Sequence, residues 1–283
     1  MMITHGEPDN FTTSTTVSLS WNQCVSECLK DSLCMVAYQL DDQNCQIFEI
    51  GEISAAKRVS NGNNFLAIKV SSASETCPAD MSSVENGYGL DNSTDPTFYY
   101  PYTVTYSNPL WSFKATGNLT CPTTFKMYIR PKGPWCMQTV DGKTCQTYQA
   151  AINQCKSYFN GQLSGPNTPE EYEDLLNRAL DFWTNRTTAH PIYCFWMDGK
   201  RKSTCQVRSA TCNGTNEFTF TDPTLSTVPQ GYSWMQAQPG QDGSCIALRI
   251  QKTPENGMDD CSCTTSGNGN VCFRGYVCGM KPV

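Results

Sequence analysis

The stretch Tyr193-Cys-Phe-Trp-Met197, closed by Asp198-Gly199, decides how the second half of the chain is read. A short apolar run ended by a turn dipeptide reads as a core strand. Two amphipathic helices precede it. In the first, Tyr148, Ala151, Ile152, Cys155 and Phe159 share one face. The second opens with Thr168 as N-cap, Pro169 at the first helical position and Glu171 completing a capping box. Its stripe is Tyr172, Leu175, Leu176, Ala179, Leu180 and Trp183, which reads as core. Glu170 and Glu171 suit the positive end of the helix dipole better than a catalytic carboxylate pair. Before the helices, Cys121-Pro122 and Gly133-Pro-Trp-Cys136 bound a hairpin that a Cys121–Cys136 bridge would pin. After the strand the chain is rich in loops and late strands: Phe218-Thr-Phe220, Trp234, Cys245-Ile-Ala-Leu-Arg-Ile250 and Gly275-Tyr-Val-Cys278.

The whole chain has 283 residues, 17 of them Cys and only 2 His. Cys at this density points to disulfides and an oxidising compartment. Asn10, Asn92, Asn118, Asn185 and Asn213 each begin a glycosylation sequon, which points the same way. The first residues, Met1 to Glu7, carry neither a charged nor an apolar signal region. A secreted protein would then have lost its leader, or the leader lies upstream. A zinc protein built on Cys261, Cys263, Cys272 and Cys278 is disfavoured, because no Cys-x2-Cys knuckle occurs. Net charge is −6 with no basic run, which argues against nucleic acid and anionic membranes as partners. No apolar stretch is long enough to span a bilayer. His5 and His190 leave little room for a nucleophile–base pair, so the chain reads as non-enzymatic.

The Cys residues fall into two groups, with Cys77 alone between them. In the first group, Ser20 and Gln23 form a capping box before a helix whose apolar face is Trp21, Cys24, Val25, Cys28 and Leu29. Cys24 and Cys28 therefore point the same way. Strand candidates follow at Cys34–Tyr38, Cys45–Phe48 and Asn64–Val70. Four Cys allow three connectivities. Nesting Cys28–Cys34 inside Cys24–Cys45 suits a helix that turns back into a hairpin. Gly6-x-Pro8, Ser20-Trp21, the Cys24-x3-Cys28 spacing, Cys34, Cys45 and Ala67-Ile-Lys-Val70 resemble the PAN/apple superfamily in its nematode-type PAN-3 (CW) form. The resemblance covers 1–70 and implies a helix on a small antiparallel sheet, serving to bind protein or carbohydrate. Residues 71–117 begin as a linker but hold Phe98-Tyr-Tyr-Pro-Tyr102, Tyr106 and Trp111-Ser-Phe113. That aromatic connecting segment, with a strand at Tyr102–Tyr106, is expected to dock on a neighbouring module.

The order of hairpin, two helices, long loops and late strands over 118–283 resembles the C-type lectin-like domain. Phe195-Trp-Met-Asp-Gly199 sits where that family has its core strand. Trp234, Gln238-Pro239 and Cys245 match its long-loop region, and Met258-Asp-Asp-Cys-Ser-Cys263 its Trp-Asn-Asp-x-x-Cys. The resemblance implies bridges Cys155–Cys278 and Cys245–Cys263. Fold class is thus α+β and disulfide-rich: a helix-on-sheet module, then a domain of two helices, two small antiparallel sheets and long loops.

Sugar-binding members of that family hold calcium, which takes six to eight oxygen ligands. Position by position, Gln238 keeps a ligand and Pro239 the proline, while Gly240 replaces a side-chain ligand. Gly243 stands where an acidic ligand is expected, two before Cys245. Asp259 and Asp260 retain oxygen donors, and Asp242 is placed to compensate. The metal candidates are therefore Gln238, Asp259 and Asp260. Ligand binding falls to those three with Pro239, Asp242 and Trp234, in a degenerate calcium site; no other cofactor is implied.

Of the remaining Cys, Cys205 and Cys212 span a short loop and are expected to pair. Cys261–Cys272 and Cys145–Cys194 follow as further expected pairs, leaving Cys77 free for an interchain bridge. Sequence does not fix these pairings. The resulting expectation is a secreted recognition protein for extracellular glycan or protein ligands, with a setting such as innate defence. The alternative is a matrix or adhesion protein that makes protein contacts without sugar binding.

Overall fold

The computed structural model of the chain describes residues 1–60, 64–71, 85–186, 190–251 and 255–283. Two units divide at 120/121, with Val283 grouped with the first. Cys77 lies outside the described residues.

In the first unit, β1 (Met2–Phe11) and β2 (Thr15–Val17) lead into α1 (Trp21–Lys30). The Ser20 N–H donates to Gln23 Oε1 at 3.2 Å, closing the start of the helix. Cys24 and Cys28 are fully buried and bridge to Cys45 and Cys34. These bonds fasten α1 onto β3 (Cys34–Gln39) and β4 (Cys45–Glu49). The chain continues through β5 (Ile53–Arg58), β6 (Phe65–Ile68), β7 (Glu85–Leu90), β8 (Phe98–Ser107), β9 (Leu110–Ala115) and β10 (Leu119–Thr120). All ten strands join one antiparallel sheet, in the order β10-β8-β9-β5-β1-β6-β3-β4-β2, with β7 on β8. The aromatic stretch is part of this sheet. Ala56 of β5 pairs with Trp111 of β9, and Trp111, Phe113, Tyr102 and Val104 share a core with Phe48, Leu66 and Ile68. Residues 85–120 thereby complete the core of the first unit.

The second unit starts with the hairpin β11 (Lys126–Arg130) and β12 (Gly133–Asp141), followed by α2 (Tyr148–Phe159), β13 (Gln162–Leu163) and α3 (Pro169–Thr184). Thr147 caps α2 by accepting from Ala150 N–H, and Thr168 caps α3 by accepting from Glu171 N–H, each at 3.3 Å. Then come β14 (Ile192–Arg201), β15 (Phe218–Thr219), β16 (Cys245–Ile250), β17 (Gly257–Cys261) and β18 (Val271–Met280). The sheet runs β11-β12-β18-β14-β16-β17, with β13 on β18 and β15 on β14. β14 is parallel to β18 on one side and antiparallel to β16 on the other.

Strand alternation on β14 builds two cores at once. Tyr193, Phe195 and Met197 pack with Tyr172, Leu175 and Ala179 of α3. Cys194 and Trp196 pack on the other face with Tyr148, Ala151 and Cys155 of α2. Trp196 is fully buried, stacks on Phe273 at 4.3 Å and donates its indole N–H to Gln146 O at 2.9 Å. Removing such a side chain costs about 3–5 kcal/mol. Among the described residues no helix is long and apolar enough to cross a membrane.

Among the described residues seven disulfides form: Cys24–Cys45, Cys28–Cys34, Cys121–Cys136, Cys145–Cys272, Cys155–Cys278, Cys205–Cys212 and Cys245–Cys263. The expected pairs Cys145–Cys194 and Cys261–Cys272 are not made, and Cys194 and Cys261 are free thiols. Strand parity is the reason. Cys272 lies opposite Tyr193 and faces the α3 core, whereas Cys194 lies opposite Phe273 and faces the α2 core. Cys261 also packs against the α2 core, so it and Cys272 project from opposite faces of the sheet. Cys145 reaches Cys272 because the next residue, Gln146, donates its N–H to Phe273 O at 2.9 Å.

Burial pushes the Cys194 thiol up to about 12 and raises Cys261 as well. Alkylation of the native protein at pH 8 is therefore expected to spare Cys194, and alkylation in denaturant to label both thiols. Peptide mapping without reduction should recover a Cys145–Cys272 linked pair; a Cys145–Cys194 peptide would overturn this connectivity.

Candidate functional site

The long loops of the second unit are rooted in a buried ionic network. Arg130 at the end of β11 donates to Glu171 at 3.0 and 2.6 Å and to Asp222 at 2.9 Å. Asp222 is also held by its backbone: its N–H, with that of Thr221, donates to Asp198 of β14 at 2.7 and 2.6 Å. Tyr232, buried at the far end of the loop, donates its hydroxyl to Asp198 O at 2.6 Å. The loop thus leaves and returns over one residue of the central strand.

The candidate residues meet a little further along, where Gln238–Gly243 folds over the β16–β17 hairpin. Asp260 is 2 % exposed and fully engaged. Its Oδ1 accepts from Gly240 N–H. Its Oδ2 accepts from Gly243 N–H at 2.9 Å and from Arg201 Nη2 at 2.6 Å. The same guanidinium donates Nε–H to Gly243 O at 2.9 Å and sets Nη1 against Glu217 Oε2. Glu217 is fully buried at the end of the short 3₁₀ turn Gly214–Glu217. Asp259 Oδ2 accepts from Arg249 Nη1 at 3.0 Å. Burial holds the Asp259 carboxyl above its ordinary range, against the opposing pull of Arg249. Arg208, from the loop closed by Cys205–Cys212, donates to Pro239 O. The Gln238–Pro239 peptide is cis, and Gln238 Oε1 is buried without a hydrogen-bond donor among the described residues.

Carboxylate oxygens of Asp242, Asp259 and Asp260 lie within 4.8 Å of one another. With Arg201 and Arg249 in place the set does not fit calcium. Both oxygens of Asp260 are taken by N–H donors, and Asp259 is shared with Arg249. That leaves Gln238 Oε1, the exposed Asp242 and part of Asp259, far short of six to eight oxygens. Nor can position 243 regain an acidic ligand in this backbone. A Cβ there would sit 2.2–2.4 Å from the backbone of Cys261. Of the metal candidates Gln238, Asp259 and Asp260, arginine engages one oxygen of each aspartate, and backbone N–H groups hold both oxygens of Asp260.

Trp234 is half-buried, stacked on Phe218 at 5.4 Å, with its indole N–H on Thr215 Oγ1 at 3.1 Å. Its packing orders the loop. Sequence reading reached the loop carboxylates but not Arg201, Glu217, Arg208 or Arg249. The available signal was an Arg three residues after Asp198, at the polar end of a strand whose first half is apolar.

A PAN-like domain family matches residues 1–70. The family of C-type lectin domain-containing protein 141/158 matches residues 128–281. No curated protein matches the chain. Among solved structures, human lithostathine is similar at 16% identity, covering 57% of this chain and 91% of that one, with a TM-score of 0.39. Herring type II antifreeze protein is similar at 20% identity, covering 58% and 99%, with a TM-score of 0.37.

Asp198 gives this region a pH signature. Burial raises its carboxyl to about 6, although the Thr221 and Asp222 donors pull it down. An acid whose folded pKa is raised contributes stability that is complete below its unfolded value, near 3.8, and is lost as pH rises through about 6. Wild-type unfolding free energy, measured relative to Asp198→Asn, should therefore increase by about 2–3 kcal/mol from pH 7 to pH 4. Chemical denaturation across that range checks it, and a flat difference would contradict it.

Proposed function

The chain belongs to the family of C-type lectin domain-containing protein 141/158, and from that premise we propose a secreted, non-enzymatic recognition protein that binds extracellular glycan or protein without calcium. The observation that carries this reading is the closed carboxylate cluster. Asp260 is bonded to Arg201 and two backbone N–H groups, which supports a loop that does not offer a cation to sugar hydroxyls. Recognition then falls to the loop surface around Gln238, Pro239 and Asp242, with Trp234 as its stacked support and Arg208 beside it. A site made only of protein groups keeps its shape when divalent ions are removed.

Several features support the extracellular half of the proposal. Among the described residues the second unit is stapled by five disulfides and the first by two. All five sequon asparagines, Asn10, Asn92, Asn118, Asn185 and Asn213, are exposed, as glycan attachment requires. The histidines occupy structural settings, which supports a non-catalytic role. His5 packs on Phe65 with ring centroids 4.5 Å apart, and His190 lies beside the Cys145–Cys272 bridge. The first unit adds a second binding module, and innate defence is the setting we assign to the pair.

The test is a glycan and extracellular-protein array probed with the full chain, with and without a chelator. Binding is expected to be the same in both, and to fall at least tenfold when Asp242 and Gln238 are both replaced by Ala. Binding that disappears on chelation would overturn the calcium-free reading. Binding that survives the double substitution would remove the loop from the site.

A further inference from the structure

Three positive charges converge on the loop where a metal-binding relative would carry a metal, and one of them is enclosed. The Arg201 side chain is 2% exposed, and those of its partners Glu217 and Asp260 are 0% exposed. Ions so fully removed from water persist only when paired and hydrogen-bonded. Two arms of this guanidinium are hydrogen-bonded, Nε–H to the carbonyl of Gly243 and Nη2 to the Asp260 carboxylate, and Nη1 is ion-paired with the Glu217 carboxylate. Its flat face lies over the Phe218 ring, 4.9 Å from the centroid.

These partners come from separate pieces of chain. Arg201 ends β14, Glu217 ends the 3₁₀ turn, Gly243 lies in the loop and Asp260 is on β17. One side chain therefore ties together two strands of the sheet, the 3₁₀ turn and the loop. We infer that Arg201 is the resident cation of the long loop: its guanidinium stands in place of a divalent ion between Glu217 and Asp260 and holds the loop closed. Arginine suits the task because it stays protonated at any physiological pH and its fork matches carboxylates. Glu217 shows how much rests on it. Neither of its buried oxygens meets a hydrogen-bond donor among the described residues, so the ion pair with Arg201 compensates its charge.

Trimming Arg201 frees both oxygens of Glu217, the Gly243 carbonyl and one acceptor position on Asp260 Oδ2, oxygens of the kind hard divalent cations take with water completing the shell. Trimming Arg201 to a small neutral side chain leaves two buried carboxylates uncompensated and opens space between them. The loop should then acquire a calcium dependence that the native protein lacks. This inference holds whichever ligand the loops take, and its readout is free of ligand, so its failure is separate from that of the recognition reading.

The experiment is thermal unfolding of the full chain in 5 mM EDTA and in 5 mM calcium chloride. Wild type should unfold at the same temperature in both. Arg201→Ala should unfold roughly 10 °C lower in EDTA and recover at least half of that loss in calcium. A wild-type Tm that drops in EDTA and returns with calcium would overturn the inference, as would an Arg201→Ala protein as stable as wild type. So would an Arg201→Ala protein that folds, loses stability and ignores calcium. Should Arg201→Ala fail to fold in either buffer, Arg201→Lys decides. It keeps the charge and loses the fork, so it should unfold below wild type at a temperature independent of chelation. Equality with wild type, or sensitivity to chelation, would contradict the assignment.

Discussion

A buried charge has to be neutralised within hydrogen-bond distance, and in this protein that requirement shapes the loops. Two arginines are sunk in the second unit, Arg130 at the root of the long loop and Arg201 under its tip. Each is surrounded by carboxylates from distant parts of the chain: Glu171 and Asp222 for the first, Glu217 and Asp260 for the second. Removing one partner would leave the other charged and dry, at a cost of about 3–5 kcal/mol. The loop is therefore held at both ends by interactions that fail together with their partners. That is how a long segment with little regular structure keeps one conformation.

The central strand makes this arrangement possible. β14 sends alternate side chains into the α3 core and the α2 core, then ends in Asp198, Gly199 and Arg201. Its apolar half is fixed by packing, so its polar end is delivered to a defined place. Asp198 takes the backbone donors of Thr221 and Asp222, and Arg201 reaches past β16 to Asp260. Packing, loop geometry and the candidate recognition surface are successive consequences of one strand's register.

Local structure was legible in the residues because its causes are local. The caps Ser20 and Thr168 and the stripe Tyr172–Ala179 mark helices through neighbours three and four positions apart. Cys24 and Cys28 announced their common face for the same reason. What sequence did not show depends on pairing between distant strands. The choice of Cys272 for Cys145 follows from the parallel register of β14 on β18, which puts Cys194 on the wrong face. The aromatic segment's place beside β5 depends on Ala56 meeting Trp111. At the site, Gln238, Asp259 and Asp260 could be aligned with a ligand pattern, but Glu217 reaches Arg201 only because β15 folds back onto β14. Gly243 looked like a lost ligand; its close approach to Cys261 shows a backbone position where no side chain fits.

The central claim is that protein groups alone hold the loop closed. The Gly240 and Gly243 amides report on it most directly, since both donate to Asp260. Amide hydrogen exchange of the wild-type chain, measured residue by residue with and without a chelator, should give these two N–H groups the same strong protection in both conditions. Protection that appears only when calcium is present would mean that a metal, not Arg201, closes the loop.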